Sequence, residues 1–346
     1  MKINYLSWMA ANTPSQWCND SAMFDDIENA FENGAVGVTT NPPLTYQVLT
    51  ETPEPFAQDL AAIDSLVKGD ERVVNLLGIV VKKIANKIHA KFIESSGAYG
   101  YVRTQVKPLD GQNREAMLAC GKIFASWAEN VKVKIPATAA GIWVLEELAA
   151  LGIPTNPTVC VSVSQILSTA QANERGIQRA IDAGIEPAPS SCAFVMGRLQ
   201  DYLTVVNNDR QAGLSITDLE NAVLAAAKRC YRLLKEGGYQ QVLMPAAFRC
   251  ARQVSEMSGS AVEMTIHPKI QKMIVEADEK GMLTREPAID NPVDPESLER
   301  VSKALPEFVT AYEPDGLAID EFDEFGATVM TLDGFNTTGW QKLLTL

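Results

Sequence analysis

Strand-like and helix-like segments alternate along almost the whole chain, and that rhythm limits the folds open to it. Short β-branched runs, the signature of strands buried on both faces, occur at Ala35–Thr40, Tyr99–Val106 and Val131–Ile135, and after Gly152 toward Val161. Further runs lie near Cys192–Met196, Gln241–Met244 and Ala261–Ile266. Between them, apolar residues recur at helical intervals over Asp25–Asn33, Asp70–Ile93, Arg114–Asn130, Gly141–Leu151 and Ile216–Glu236. Gly34 follows the first of these as a helix-stop signal. Repeated strand–helix units predict a parallel sheet with right-handed crossovers. About eight of them predict a single (β/α)8 TIM barrel of the α/β class with additional helices. An open doubly wound sheet is the structural alternative, but no GxGxxG follows the first strand.

The 346 residues suffice for one large barrel. No low-complexity linker divides them, so residues 1–285 are expected to form the barrel. From about Glu286 the chain becomes rich in Asp, Glu and Pro and carries Trp340 near its end. Residues 286–346 read as an accessory helical tail, packing on the barrel or on a neighbouring subunit of a homo-oligomer.

Charge and rare residues narrow the chemistry. A formal net charge of −13 argues against nucleic acid as a partner. A small anion remains open to it only where arginines cluster locally. No apolar run is long enough to cross a bilayer, and Met1–Asn4 lacks the plan of a signal peptide. Six scattered cysteines without a CxxC pair read as reduced thiols in the cytoplasm. Two histidines, His89 and His267, make a His-rich metal site improbable, and no cofactor is implied.

The strand Val131-Lys132-Val133-Lys134-Ile135 ends at Pro136, with Thr138 placed to cap the next helix. Lys134 thereby stands at the C-terminal tip of a core strand. Burial there lowers the pKa of an ammonium, and a neutral amine is the nucleophile that forms Schiff bases with ketones. A lysine that snorkels from the strand end into water is the bland counterpart. Lys132, two residues earlier, leaves the same face. It either lowers the Lys134 pKa from inside the barrel or lies at the solvated base of the strand.

Barrel chemistry gathers at strand C-terminal ends. The residues there are Asp20 in Trp17–Ser21, Asn41 closing Gly37-Val38-Thr39-Thr40-Asn41, and Gln105, followed by Lys134, Asn156, Thr158, Arg198 and Arg249. Five motifs in chain order resemble the transaldolase family, including its fructose-6-phosphate aldolase-like members. They are GVTTNPPL, VKIPATAAGI, GIPTNPTVCVS, FVMGR and AAFR. The resemblance implies a Schiff-base enzyme that moves a three-carbon dihydroxyacetone unit from a ketose phosphate to an aldose phosphate. It implies Lys134 as the Schiff-base residue and Asp20 as the proton carrier, with Asn19 the other candidate for that position. Thr158 and Gln105 would handle a catalytic water. Thr40, Asn41, Asn156 and Phe194 would contact substrate, and Arg198 and Arg249 would grip its phosphate. Transaldolases usually carry glutamate where Gln105 stands, whereas the aldolase-like members carry glutamine. Phe194 is the transaldolase-like choice. Ala193 and Ala247 replace serines often found near the phosphate. The alternatives are therefore an aldolase releasing dihydroxyacetone and a barrel that only binds a sugar phosphate.

Overall fold

The computed structural model describes residues 4–64, 66–109 and 113–346. Eight strands run parallel in chain order: β1 (Gln16–Asp20), β2 (Gly37–Thr39), β3 (Val102–Gln105), β4 (Val131–Pro136), β5 (Thr155–Thr158), β6 (Ser191–Val195), β7 (Val242–Ala246) and β8 (Glu263–Ile266). Six form one ladder in the order β5-β4-β3-β2-β1-β8, and β6 pairs with β7. The bridges Thr155–Ser190 and Cys160–Phe194 join β5 to β6. β7 packs beside β8 without ladder pairing among the described residues. The architecture is the expected TIM-type α/β barrel, with its hydrogen-bonded circuit left open at that last seam.

Helices cover the strands because each carries an apolar stripe. In Gly69–Glu94 the buried set includes Val73, Leu76, Leu77, Val80, Val81, Ile84 and Ile88, one face at helical spacing. The helix Ile216–Glu236 has the expected bounds and opens with a capping box, Ser215 and Asp218. Other bounds differ. The helix from Arg114 ends at Ala125 rather than Asn130. There Trp127 stacks on Phe124, and buried Asn130 donates to the Ala85 and Gly100 carbonyls. Among the described residues no helix is long and apolar enough to cross a membrane.

Beyond β8 and the helix Pro268–Glu279, the chain continues as short helices. Pro295–Ala304 and Pro306–Tyr312 lie on the Ile216–Glu236 helix. Gly326–Phe335 lies on the helix Met196–Asp209, and a π-helical turn, Asn336–Trp340, reaches the helix Pro42–Glu51. Trp340 Nε1 donates to Asp70 at 2.7 Å. This last stretch therefore crosses the end of the barrel where the strand C-termini open.

The bore of the barrel is charged. Arg103, fully buried, pairs with Glu263, and the Lys132 ammonium lies 4.6 Å from the centre of the Tyr101 ring. Gly37 makes room for this layer, since a Cβ there would lie 3.0 Å from an Arg103 guanidinium nitrogen and 2.9 Å from the Tyr101 carbonyl. Burial raises the Glu263 carboxyl, but Arg103 and Lys132 outweigh it and hold it at about 2.

Candidate active site

Lys134 enters the bore one step above that charged layer. The register pairs Lys132 with Arg103, and Lys134 with Gln105 on one side and Asn156 on the other. Pro136 ends β4, and the Thr138 hydroxyl accepts from the Gly141 amide at 3.0 Å, capping the next helix. The Lys134 ammonium is buried and donates to the Thr40 carbonyl at 3.3 Å. Burial lowers its pKa to about 8; Asp20 opposes the shift and Arg103 adds to it. Lys132 is buried rather than solvated, and its own pKa also falls to about 8. The neighbouring cation that depresses Lys134 is Arg103, which takes the part expected of Lys132.

Lys134 lines an inner cavity of about 80 Å³. Asp20, Asn41, Asn156, Thr158 and Arg198 line it too, so six residues from four strand ends and one helix converge on one chamber. Asp20 accepts from the Thr39 hydroxyl at 2.7 Å. Asn19 turns away: its amide donates to the Ser21 carbonyl and accepts from Gln271, behind the strand. Of the two candidates, Asp20 is the one that faces Lys134. The Asn41 side chain caps the Pro42–Glu51 helix by accepting from the Leu44 amide at 2.9 Å. Asn156 donates to the Ser191 carbonyl, and its carbonyl oxygen is buried without a protein partner among the described residues. Gln105 is fully buried beside Lys134, and neither its amide nitrogen nor its oxygen has a partner among the described residues. Orphaned amide atoms at that depth are costly unless something polar reaches them.

A second cavity of about 450 Å³ lies outside the first and is bounded by Arg198, Arg249, His267 and Lys269, among others. Arg249 is firmly seated. Its Nε donates to Asp201 at 3.0 Å, a second nitrogen also meets the Asp201 carboxylate, and a third donates to the Ala247 carbonyl at 2.9 Å. Gly197 permits this, because a Cβ there would lie 2.5 Å from the guanidinium carbon. Asp201 and the Ala247 and Phe248 carbonyls thus engage all three guanidinium nitrogens and fix the group at the cavity wall. Arg198 stands 3.9 Å from Asp201 and 5.5 Å from the centre of the Phe335 ring. Burial, with Arg249 nearby, lowers its pKa.

Gln105, although beside Lys134, lines neither cavity, and two expected substrate contacts also lie off the lining. Phe194 is fully buried and lines neither cavity; its neighbours Ala193 and Val195 line the inner one, as the two-residue alternation of β6 requires. Thr40 presents only its carbonyl to Lys134, while its hydroxyl faces Thr45 and the Asn41 carbonyl. Thr39 is the threonine that faces the chamber. Alternation counted back from Asn41 finds Thr39. Phe335 had no local signal, since its contribution depends on the tail's path. Of four non-glycine residues with left-handed backbone among the described residues, Val159 and Ala247, both at φ +58°, lie just beyond β5 and β7. Such strain gathers at functional sites.

Known proteins match this chain. The family model described as transaldolase/fructose-6-phosphate aldolase matches residues 17–324. Transaldolase 1 of Streptomyces avermitilis is 30% identical over 214 residues, which covers 60% of this chain and 54% of that protein. Transaldolase 2 of a Nostoc species is 24% identical over 208 residues, 58% of this chain and 55% of its own length. The transaldolase of Neisseria gonorrhoeae is 26% identical over 212 residues, 60% and 58% respectively. The chain spans between half and three-fifths of these relatives' lengths. With a barrel of the expected architecture and a family match over most of its residues, the chain belongs to the transaldolase/fructose-6-phosphate aldolase family.

Proposed function

We propose that the protein is a Schiff-base transaldolase that moves a dihydroxyacetone unit from a ketose phosphate to an aldose phosphate. The observation that carries this reading is the buried Lys134 amine, with a pKa near 8, opening onto the same chamber as Asp20. Neutral Lys134 attacks the ketose C2, and the carbonyl oxygen leaves as water, forming an iminium ion. The C3–C4 bond then breaks as its electron pair flows into the iminium and the C4 hydroxyl proton passes to Asp20. An aldose leaves, and the three-carbon enamine stays on Lys134. An acceptor aldehyde takes the same path in reverse, and hydrolysis frees the new ketose.

The orphaned amide of Gln105 and the Thr158 hydroxyl are suited to orient the water that these steps release and consume. Asn41 and Asn156 serve the substrate hydroxyls. Arg198 and Arg249, which both line the outer cavity, serve the phosphate. The aldolase reading is the second one, favoured by a specific observation: position 105 is a glutamine, whose unpartnered amide can orient a water but accept no proton. Ala193 and Ala247 sustain the reading of a barrel that only binds. The free thiols of Cys18, Cys160, Cys192, Cys230 and Cys250 fit a cytoplasmic setting.

Borohydride trapping followed by mass spectrometry across a panel of ketoses tests the proposal. A substrate-dependent adduct on Lys134 retaining three carbons, absent in Lys134→Ala, is expected. Its absence on the unaltered chain removes the catalytic reading. Transfer product with an acceptor present, and little free dihydroxyacetone without one, separates transferase from aldolase.

A further inference from the structure

Phe335 is the last residue of the helix Gly326–Phe335, and its ring is almost wholly buried at the barrel mouth. It lines both cavities, together with Asp20, Asn41, Arg198 and Ala247. Those five residues form the neck between the chamber around Lys134 and the arginine-bearing vestibule. The Arg198 guanidinium lies against the ring, at cation–π distance. Behind the ring, Leu332 and the left-handed Val159 complete a small apolar cluster.

The position of the ring is held from the other side as well. A Cβ on Gly339 would lie 2.3 Å from Pro43, so the turn after Phe335 sits flush on the helix that Asn41 caps. Trp340 then anchors the turn to Asp70. The segment packed this closely forms one wall of the neck.

We propose that Phe335 is a specificity-determining residue that closes the neck of the site, so that the enamine on Lys134 reacts with an acceptor aldehyde in preference to water. This rests on the Schiff-base reading above. Two fates compete for the enamine. In transfer, its nucleophilic carbon bonds to the acceptor carbonyl carbon, and the new alkoxide takes a proton from Asp20. In release, the same carbon takes a proton originating in water; water then adds to C2 of the iminium, the Lys134 amine departs, and free dihydroxyacetone results. Both fates end with hydrolysis of an iminium, so the choice is made at the carbon that stands in the neck. The inner chamber, at about 80 Å³, has room for a three-carbon fragment and little else. The vestibule, at about 450 Å³, has room for the remainder of the sugar phosphate. An apolar ring between them excludes solvent from the reacting carbon while the acceptor waits beside the arginines.

The test compares Phe335→Ala and Phe335→Leu with the unaltered full-length chain. Fructose 6-phosphate serves as donor, with and without erythrose 4-phosphate as acceptor. The readout is the ratio of free dihydroxyacetone to transfer product. The expected result is a rise of at least about fivefold in Phe335→Ala and a smaller rise in Phe335→Leu, with a borohydride-trapped adduct still detected on Lys134. An unchanged ratio in both variants with the adduct intact overturns the inference and leaves the Schiff-base reading standing. If Phe335→Ala does not fold, the ratio in Phe335→Leu alone decides. If the unaltered chain yields no adduct, the Schiff-base reading fails, and this inference falls with it.

Discussion

Replacing Lys134 by methionine should stabilise the protein, and the gain should disappear in alkali. Folding brings this amine from 10.5 to about 8. At ~1.4 kcal/mol per tenfold change in acidity, holding it in the fold costs about 3 kcal/mol at neutral pH. Methionine fills a similar volume without charge, but forfeits the hydrogen bond to the Thr40 carbonyl, worth about 1 kcal/mol. The net gain is about 2 kcal/mol. Unfolding entropy for a chain of 346 residues is about 0.7 kcal/mol/K. The variant should therefore melt about 3 °C higher. The sign with pH follows from linkage. Below about 8 the amine is protonated in both states and the cost is fully present. Between about 8 and 10.5 the unfolded chain binds the extra proton, so the stability of the unaltered protein rises with pH and the gap closes. Above 10.5 both states are neutral and the variant is the weaker by its lost hydrogen bond. Thermal unfolding of both proteins, followed by circular dichroism from about pH 7 to about pH 11, reads this directly. A variant that melts lower at neutral pH, or a gap indifferent to pH, would refute the claim that the amine is buried at a cost.

Asp20→Asn should lower kcat by about 10²- to 10⁴-fold while a borohydride-trapped donor adduct still forms on Lys134; steady-state rates and mass spectrometry together show whether proton transfer alone was lost. Glu263→Gln strips the bore of its carboxylate and leaves Arg103 and Lys132 facing each other, so urea denaturation should report a loss of about 3–5 kcal/mol. Arg198→Ala should raise KM for phosphorylated donors far more than for unphosphorylated ones, and equal effects on both would remove the phosphate assignment.

The strand ends were legible because each carries a short motif whose alternation fixes the face. Lys134, Asn156 and Thr158 stand on the strands that single motifs predicted, and Arg198, expected at a strand end, stands in the first turn of the helix after β6. Of Asp20 and Asn19, Asp20 lines the chamber; at the expected Thr40 and Phe194 it is the neighbours Thr39 and Val195, not considered from sequence, that line it. The bore was harder to read. Arg103 and Glu263 are 160 positions apart and meet only through the register of β3, β2, β1 and β8. Asp201 was hidden for a related reason, since a carboxylate one helical turn past Arg198 reads as an ordinary helix-surface pair until Arg249 is brought against it from β7. Phe335 depended on where the tail crosses the barrel, which no local pattern encodes.

The left-handed valine at 159 ties together two parts of the chain far apart in sequence. A β-branched residue in that conformation is strained, and its side chain here packs on Leu332 and Phe335. Positions 159 and 335 should therefore drift jointly among descendants of this protein. A lineage that shed the last helices would be free to relax to glycine at 159, and one that retains valine there advertises an intact cover over the barrel.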